Sequence, residues 1–125
     1  MPWKDKRPMS PHLQIYDLPL TARLSILHRG TGAVLFIGLL LMVWVLAAAA
    51  GGSESWQSMY GFLSSWFGKL ILFGFTFSLY YHMCNGIRHL FWDIGKGFKL
   101  SDAERNGKIV IATSIALTVL TWFIA

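Results

Sequence analysis

The strongest constraint on this chain is the apolar run from Gly32 to Ala50, which contains no charged residue. A helix rises about 1.5 Å per residue, so this run is long enough to cross a hydrocarbon core of about 30 Å. We expect the chain to become helical from Thr21 onwards. The run therefore predicts a first membrane-spanning helix.

Two further apolar runs follow the first. Gly51–Ser55 breaks the first helix, a second run extends from about Tyr60 to Trp92, and a third from Ile109 to Ala125. The second exceeds 30 residues and must tilt or protrude from the membrane. A polar loop over Gly95–Gly107 separates it from the third. We expect an all-α membrane protein, a single helical-bundle domain of three transmembrane helices over residues 1–125, with a polar arm at 1–20 and spans at about 22–50, 60–92 and 107–125.

Composition agrees with a membrane protein. The chain is 54% hydrophobic and 14% charged, whereas soluble domains carry about a quarter charged residues. Its formal net charge of +5 does not indicate nucleic acid, because the basic residues flank the apolar runs and form no stripe. The single cysteine, Cys84, excludes an intramolecular disulfide and a Cys-based zinc or iron–sulfur site within this chain. The first 29 residues lack the pattern of a cleavable signal peptide, so we expect the first helix also to direct insertion.

The basic residues predict the orientation. Loops that stay in the cytoplasm are enriched in Lys and Arg. The loop after the first helix contains Glu54 and no basic residue, and Lys69 would extend towards that side. The other ten of the eleven Lys and Arg residues belong to the amino-terminal arm and first helix start, or to the second loop and its flanks. We expect a cytoplasmic amino terminus and a carboxyl terminus on the opposite side.

A cluster of ionisable residues ends the second apolar run. His82 and His89 are seven residues apart, which places them on one helix face with Gly86 between them. The gap at the glycine suits a flat, bulky ligand. His82 is either a haem-iron ligand or a histidine hydrogen-bonded between helices. His89, with Arg88 and Lys96 in reach, either approaches haem propionates or is an interfacial histidine.

Asp93 and the Trp and Tyr residues near the helix ends are interpreted separately. Asp93 is a functional carboxylate or the partner of a nearby basic residue. Most of the Trp and Tyr residues are predicted to form interfacial belts, and none is assigned a chemical role; they include Trp56, Trp66, Tyr80, Tyr81 and Trp92.

The start of the first helix carries a second polar group. Thr21, Ser25 and Arg29 follow at i, i+4 and i+8, with His28 on the adjoining flank. An apolar molecule with carbonyl oxygens, such as a quinone, would accept hydrogen bonds from this face. The alternative is a polar helix start at the lipid headgroups, with Arg29 extending towards water.

These motifs resemble a known family, the cytochrome b subunit of succinate dehydrogenase, the larger membrane anchor of respiratory complex II. The similarity covers essentially the whole chain, with both histidine motifs in order and at the family's spacing. The residues that carry it are Arg7–Tyr16, Leu20-Thr21, Ser25–Gly32, His82, Asn85–Leu90 and Trp92-Asp93.

The resemblance implies a three-helix anchor that pairs with a second small membrane anchor beneath a flavoprotein and an iron–sulfur protein. It implies that His82 is an axial ligand of haem b, with the other ligand from the second anchor. Ser25 and Arg29 match residues of the ubiquinone site, while His28 and His89 match histidines near the haem propionates. No residue of this chain is implied as catalytic.

The resemblance also implies a bacterial inner membrane in preference to a mitochondrial one. Three rival interpretations remain at this point: the anchor of a fumarate reductase, a structural anchor without haem or quinone, and a small transporter or channel. The sequence shows no inverted repeat and no acidic residue in mid-span, which disfavours transport.

Overall fold

The computed structural model describes residues 18–125. They form four helices and, within this range, no strand: α1 (Leu20–Ala50), α2 (Ser53–Ser64), α3 (Trp66–Asp93) and α4 (Leu100–Ile124). Helices α1, α3 and α4 are long and apolar enough to cross a membrane. The all-α fold with three spans is therefore confirmed. The predicted polar arm lies outside the described residues except for its last three.

A glycine ends the first span as expected. Helix α1 stops at Ala50, and Gly52 adopts a φ of 102°. Side chains disfavour this part of backbone space, whereas glycine enters it freely. The chain can therefore turn and start α2 immediately.

The expected span from residue 60 to 92 is not one helix, because the chain breaks at Ser65. This residue is extended, with φ −69° and ψ 162°. Its hydroxyl donates to the carbonyl of Phe62 at 2.6 Å and accepts from the amide of Gly68 at 3.1 Å. A serine that caps a helix in this way favours a new start over continuation. The second span is consequently Trp66–Asp93, and residues 60–64 belong to α2.

The loop before the last helix is shorter than predicted. Helix α4 begins at Leu100, where we expected a span from about 107, so the second half of the predicted loop is helical. Asp102 lies in the first turn of α4, where a carboxylate interacts favourably with the helix dipole. Gly95 and Gly97 adopt φ values of 83° and 80°, which allows the short turn between α3 and α4.

Small side chains let the helices approach closely. The buried face of α4 comprises Ala103, Gly107, Val110, Ser114 and Thr118. Small residues are the usual contact surface between membrane helices because they admit close backbone packing. A Cβ at Gly107 would collide with Leu24 of α1. Helix α4 therefore packs against α3 and also reaches the start of α1.

Two tyrosines predicted as belt residues are instead part of the bundle. Tyr81 is fully buried, and its hydroxyl donates to the carbonyl of Leu24 at 2.6 Å. The Tyr80 hydroxyl lies 2.6 Å from that of Thr121 on α4. A buried phenol needs a hydrogen-bond partner, and neighbouring helices supply it here. The belt interpretation was wrong for this pair.

Candidate functional site

Three histidines meet where α1 packs against α3. The rings of His28 and His82 stack with 4.0 Å between centroids and 10° between planes. His89 is 5.2 Å from His28, centroid to centroid, at a tilt of 57°. The sequence placed His82 and His89 on one face, and the structure brings His28 to the same place.

The orientation of His82 is fixed through one ring nitrogen. Its Nδ1 lies 3.2 Å from the carbonyl oxygen of His28 and 3.4 Å from the Thr31 hydroxyl. That hydroxyl donates to the same carbonyl at 2.9 Å. A carbonyl only accepts, so Nδ1 carries the proton and Nε2 keeps its lone pair. Histidines that bind a metal are commonly held in this way by a backbone carbonyl on the other nitrogen.

Two glycines shape the space around His82. A Cβ at Gly32 would lie 3.1 Å from Cε1 of His82, which is tighter than ordinary van der Waals contact. Only a glycine at this position leaves the ring undisturbed. At Gly86 an added Cβ would meet nothing within 4 Å in the described part of the chain. The gap predicted between His82 and His89 is therefore open.

Trp92 holds His89 from its other side. The two rings meet edge to face, 4.8 Å apart at 87°. The indole nitrogen of Trp92 donates to the carbonyl of Gly97 at 3.0 Å, which ties this ring to the turn before α4. His89 is thus packed between His28 and an anchored tryptophan.

Arg88 is buried where α3 packs against α4. It is 4% exposed, and its two terminal nitrogens donate to the Asn85 side chain at 3.0 Å and the Ala103 carbonyl at 3.1 Å. Its guanidinium carbon lies 4.3 Å from the centre of the Trp92 ring. Residues 81, 85, 88 and 92 share one face of α3, and that spacing was the signal for burial. Sequence reasoning missed this arginine as a link between α3 and α4.

The predicted quinone residues lie beside this cluster. Ser25 is half-buried and Arg29 exposed. Because Arg29 follows His28, whose ring stacks on His82, Arg29 and His82 lie at about the same level of the bundle. Asp93 is exposed at the end of α3, and the ion pair found within residues 18–125 joins Asp102 and Arg105 at 3.5 Å.

Sequence comparison identifies the family. Residues 4–121 match the succinate dehydrogenase/fumarate reductase transmembrane subunit family. The chain belongs to this family. Similar proteins include succinate dehydrogenase cytochrome b556 subunits of Rickettsia felis and Paracoccus denitrificans, each 42% identical over 94% of this chain and over 92% and 91% of the relative. The human mitochondrial cytochrome b560 subunit is 37% identical over 87% of this chain and 66% of its own length. The resemblance to the larger anchor of complex II is confirmed.

As a member of this family, the chain has donors suited to a haem. Within residues 18–125, no group of three or more His, Cys, Asp or Glu side chains is placed to hold a bare metal ion. What the histidine cluster does provide is one oriented imidazole, His82, and a second ring, His28, whose Nδ1 is buried without a hydrogen-bond partner in the described part. Buried polar atoms are usually paired. These residues therefore fit a bound group that offers both an iron and a hydrogen-bond partner for His28.

Proposed function

We propose that this chain is the cytochrome b membrane anchor of a succinate:ubiquinone oxidoreductase, and that it provides one haem b ligand and part of the quinone site. The observation that carries the proposal is the contact between Nδ1 of His82 and the carbonyl of His28, 3.2 Å apart. It leaves Nε2 free to bind iron in a fixed orientation.

Haem b is held jointly with a second small anchor subunit. His82 would bind the haem iron from this chain, and a histidine of the second anchor would supply the other iron ligand. His28, whose Nδ1 has no partner among residues 18–125, and His89, packed against Trp92, bind the propionates with help from Arg29. When bound, haem accepts and returns one electron at a time, at a potential tuned by its ligands and burial.

Ubiquinone is the substrate at the start of α1. The Ser25 hydroxyl donates a hydrogen bond to a quinone carbonyl, and Arg29, one turn along the same face, stabilises the negative charge that develops on that oxygen during reduction. The exposure of Arg29 supports this role, because its guanidinium is accessible to a ligand or a neighbouring subunit. The bundle keeps the two side chains one turn apart and thereby orients the quinone.

Succinate oxidation occurs in other subunits. The sequence contains no dinucleotide-binding fingerprint and one cysteine, so flavin and iron–sulfur chemistry belong to a flavoprotein and an iron–sulfur subunit. The complex lies in a bacterial inner membrane, with the amino terminus of this chain in the cytoplasm. Quinone and haem residues then lie near the cytoplasmic surface, where the soluble subunits dock.

The competing functions are a structural anchor without haem and the anchor of a fumarate reductase. A dithionite-reduced minus oxidised spectrum of the purified complex tests the first, with a b-type haem band expected and its absence contradicting the proposal. Turnover tests the second: we expect succinate oxidation with ubiquinone to exceed fumarate reduction with a quinol. The opposite ratio would assign the complex to fumarate reduction.

A further inference from the structure

A pocket lies between α3 and α4, away from the histidines. It has a volume of about 410 Å³, and its α3 wall includes Cys84 and Phe91. At about 100° per residue, these two lie roughly 180° to 200° around α3 from His82. The pocket is therefore separate from the haem and quinone residues.

The pocket has a basic end and an apolar end. Arg88, Lys96 and Asn106 line the end at the α3–α4 turn. Further along α4 the lining continues through Ile109 to Thr113. The seven steps from Asn106 to Thr113 correspond to about 10 Å of helix, so the pocket runs from the polar α3–α4 turn along the apolar part of α4.

Within residues 18–125, Arg88 has no carboxylate among its contacts. Its contacts within residues 18–125 are an amide oxygen, a backbone carbonyl and the Trp92 ring, and its Nε is buried without a hydrogen-bond partner. Burying a cation is costly unless an anion or several good acceptors accompany it. Lys96, exposed on the same pocket, adds a second positive charge. An anionic ligand would lower the free-energy cost of burying the Arg88 charge and of placing the Lys96 charge close to it.

We propose that this pocket binds one anionic phospholipid. The phosphate lies against Lys96 and Asn106 near the buried charge of Arg88, and an acyl chain follows Phe91 and Ile109. Basic pockets between membrane helices on the cytoplasmic side are a recognised mode of anionic lipid binding. Ile109 and Phe91 are 53% and 51% exposed, so a chain from the bilayer can reach the groove. This site goes beyond the proposed function, and haem and quinone assays do not report on it.

The headgroup is tested in the intact complex. The complex is exchanged into nanodiscs of equal parts phosphatidylglycerol and phosphatidylcholine, and the lipid retained after detergent extraction is measured by mass spectrometry. Other subunits also hold lipid, so the readout is the difference between variants. Lys96→Gln should reduce retained phosphatidylglycerol at this site about fivefold. Lys99→Gln, a basic residue three positions away that does not line the pocket, should retain it.

Acyl-chain binding at the apolar end of the pocket is tested with a second pair of variants. Thr113→Phe fills the groove and should release the lipid, whereas Ile115→Phe changes an exposed residue outside the pocket and should not. Excess inorganic phosphate should not displace the lipid, because it cannot occupy the apolar end. Displacement of the lipid by phosphate would contradict the proposal, because it would mean that the pocket recognises free phosphate. If Lys96→Gln and Thr113→Phe retain as much lipid as their controls Lys99→Gln and Ile115→Phe, or if Thr113→Phe impairs subunit assembly with lipid unchanged, the proposal is overturned.

Discussion

The imidazole of His28 lies flat against that of His82, with 4.0 Å between the ring centroids and 10° between the ring planes. The stack joins α1 to α3 at one level, and the His28 carbonyl fixes the second ring through its Nδ1. A single turn of α1 therefore both orients the proposed haem ligand and carries the neighbouring Arg29. The same contact therefore positions the proposed haem ligand, His82, relative to Arg29 of the proposed quinone site.

Gly32→Ala should weaken haem binding, because the new methyl group would lie 3.1 Å from the His82 ring. Overpacking of this kind costs about 1–3 kcal/mol where neighbours cannot move. Haem per purified complex, measured from the reduced-minus-oxidised spectrum after detergent washing, should fall below that of the unmodified protein. Gly30→Ala is the control, since a Cβ there meets nothing within 4 Å in the described part of the chain. Both changes add the same helix propensity, and equal haem content in the two variants would exclude the steric explanation.

Tyr81→Phe should destabilise the packing of α1 on α3. The hydroxyl is fully buried and donates to the Leu24 carbonyl at 2.6 Å, and a hydrogen bond of this type contributes about 0.5–1.5 kcal/mol. We expect a lower midpoint in detergent-titrated unfolding. Tyr60→Phe, at a position 61% exposed, should leave the midpoint unchanged. If the two variants unfold alike, the Tyr81 hydroxyl does not stabilise the bundle.

Ser25→Ala should lower succinate:ubiquinone turnover about tenfold or more, because hydrogen bonds that involve charge contribute about 1.5–3 kcal/mol. Succinate oxidation by an artificial acceptor that takes electrons from the soluble subunits should persist. Ser58→Ala, on α2, makes the same chemical change away from the site and should keep full activity. Normal quinone turnover and inhibitor sensitivity in Ser25→Ala would support a simple polar helix start.

The membrane topology decides whether Arg29 and His82 lie on the side where the soluble subunits dock. In a Cys84→Ser background on intact cells, an impermeant thiol reagent should label a Ser53→Cys variant and not a Ser101→Cys variant. Both positions are exposed, at the start of α2 and of α4 respectively. The reverse labelling would put Arg29 and His82 near the outer surface, and the proposed route of electrons would then fail.

The sequence predicted most of the fold because the length of an apolar run and the positions of the charged residues can be read directly from it. The run after Gly32 identified α1, and the common level of Arg29 and His82 followed from helix rise. The break at Ser65 was missed because the apolar character continues through it, although a serine that can cap a helix was visible. The burial of Arg88 was missed because a positive charge near a helix end usually reaches water.

The contacts within the histidine cluster could not be predicted from the sequence, because they depend on how the helices pack against one another. The spacing of His82 and His89 is a property of one helix, whereas the stack on His28 depends on how α1 is rotated against α3. That rotation is set by Leu24, Tyr81 and Gly107, whose roles appear only when the three helices are together. The ligand role of His82 stays a prediction.

The spectrum of His82→Ala in the purified complex tests this role most directly. We expect the low-spin b-type signal to disappear while the subunits still assemble, and His28→Ala to keep a low-spin signal, because the backbone carbonyl that holds His82 remains. A second ligand from another chain also means that the isolated subunit should bind no low-spin haem. An unchanged spectrum in His82→Ala, or low-spin haem in the isolated subunit that His28→Ala abolishes, would contradict the shared-haem site.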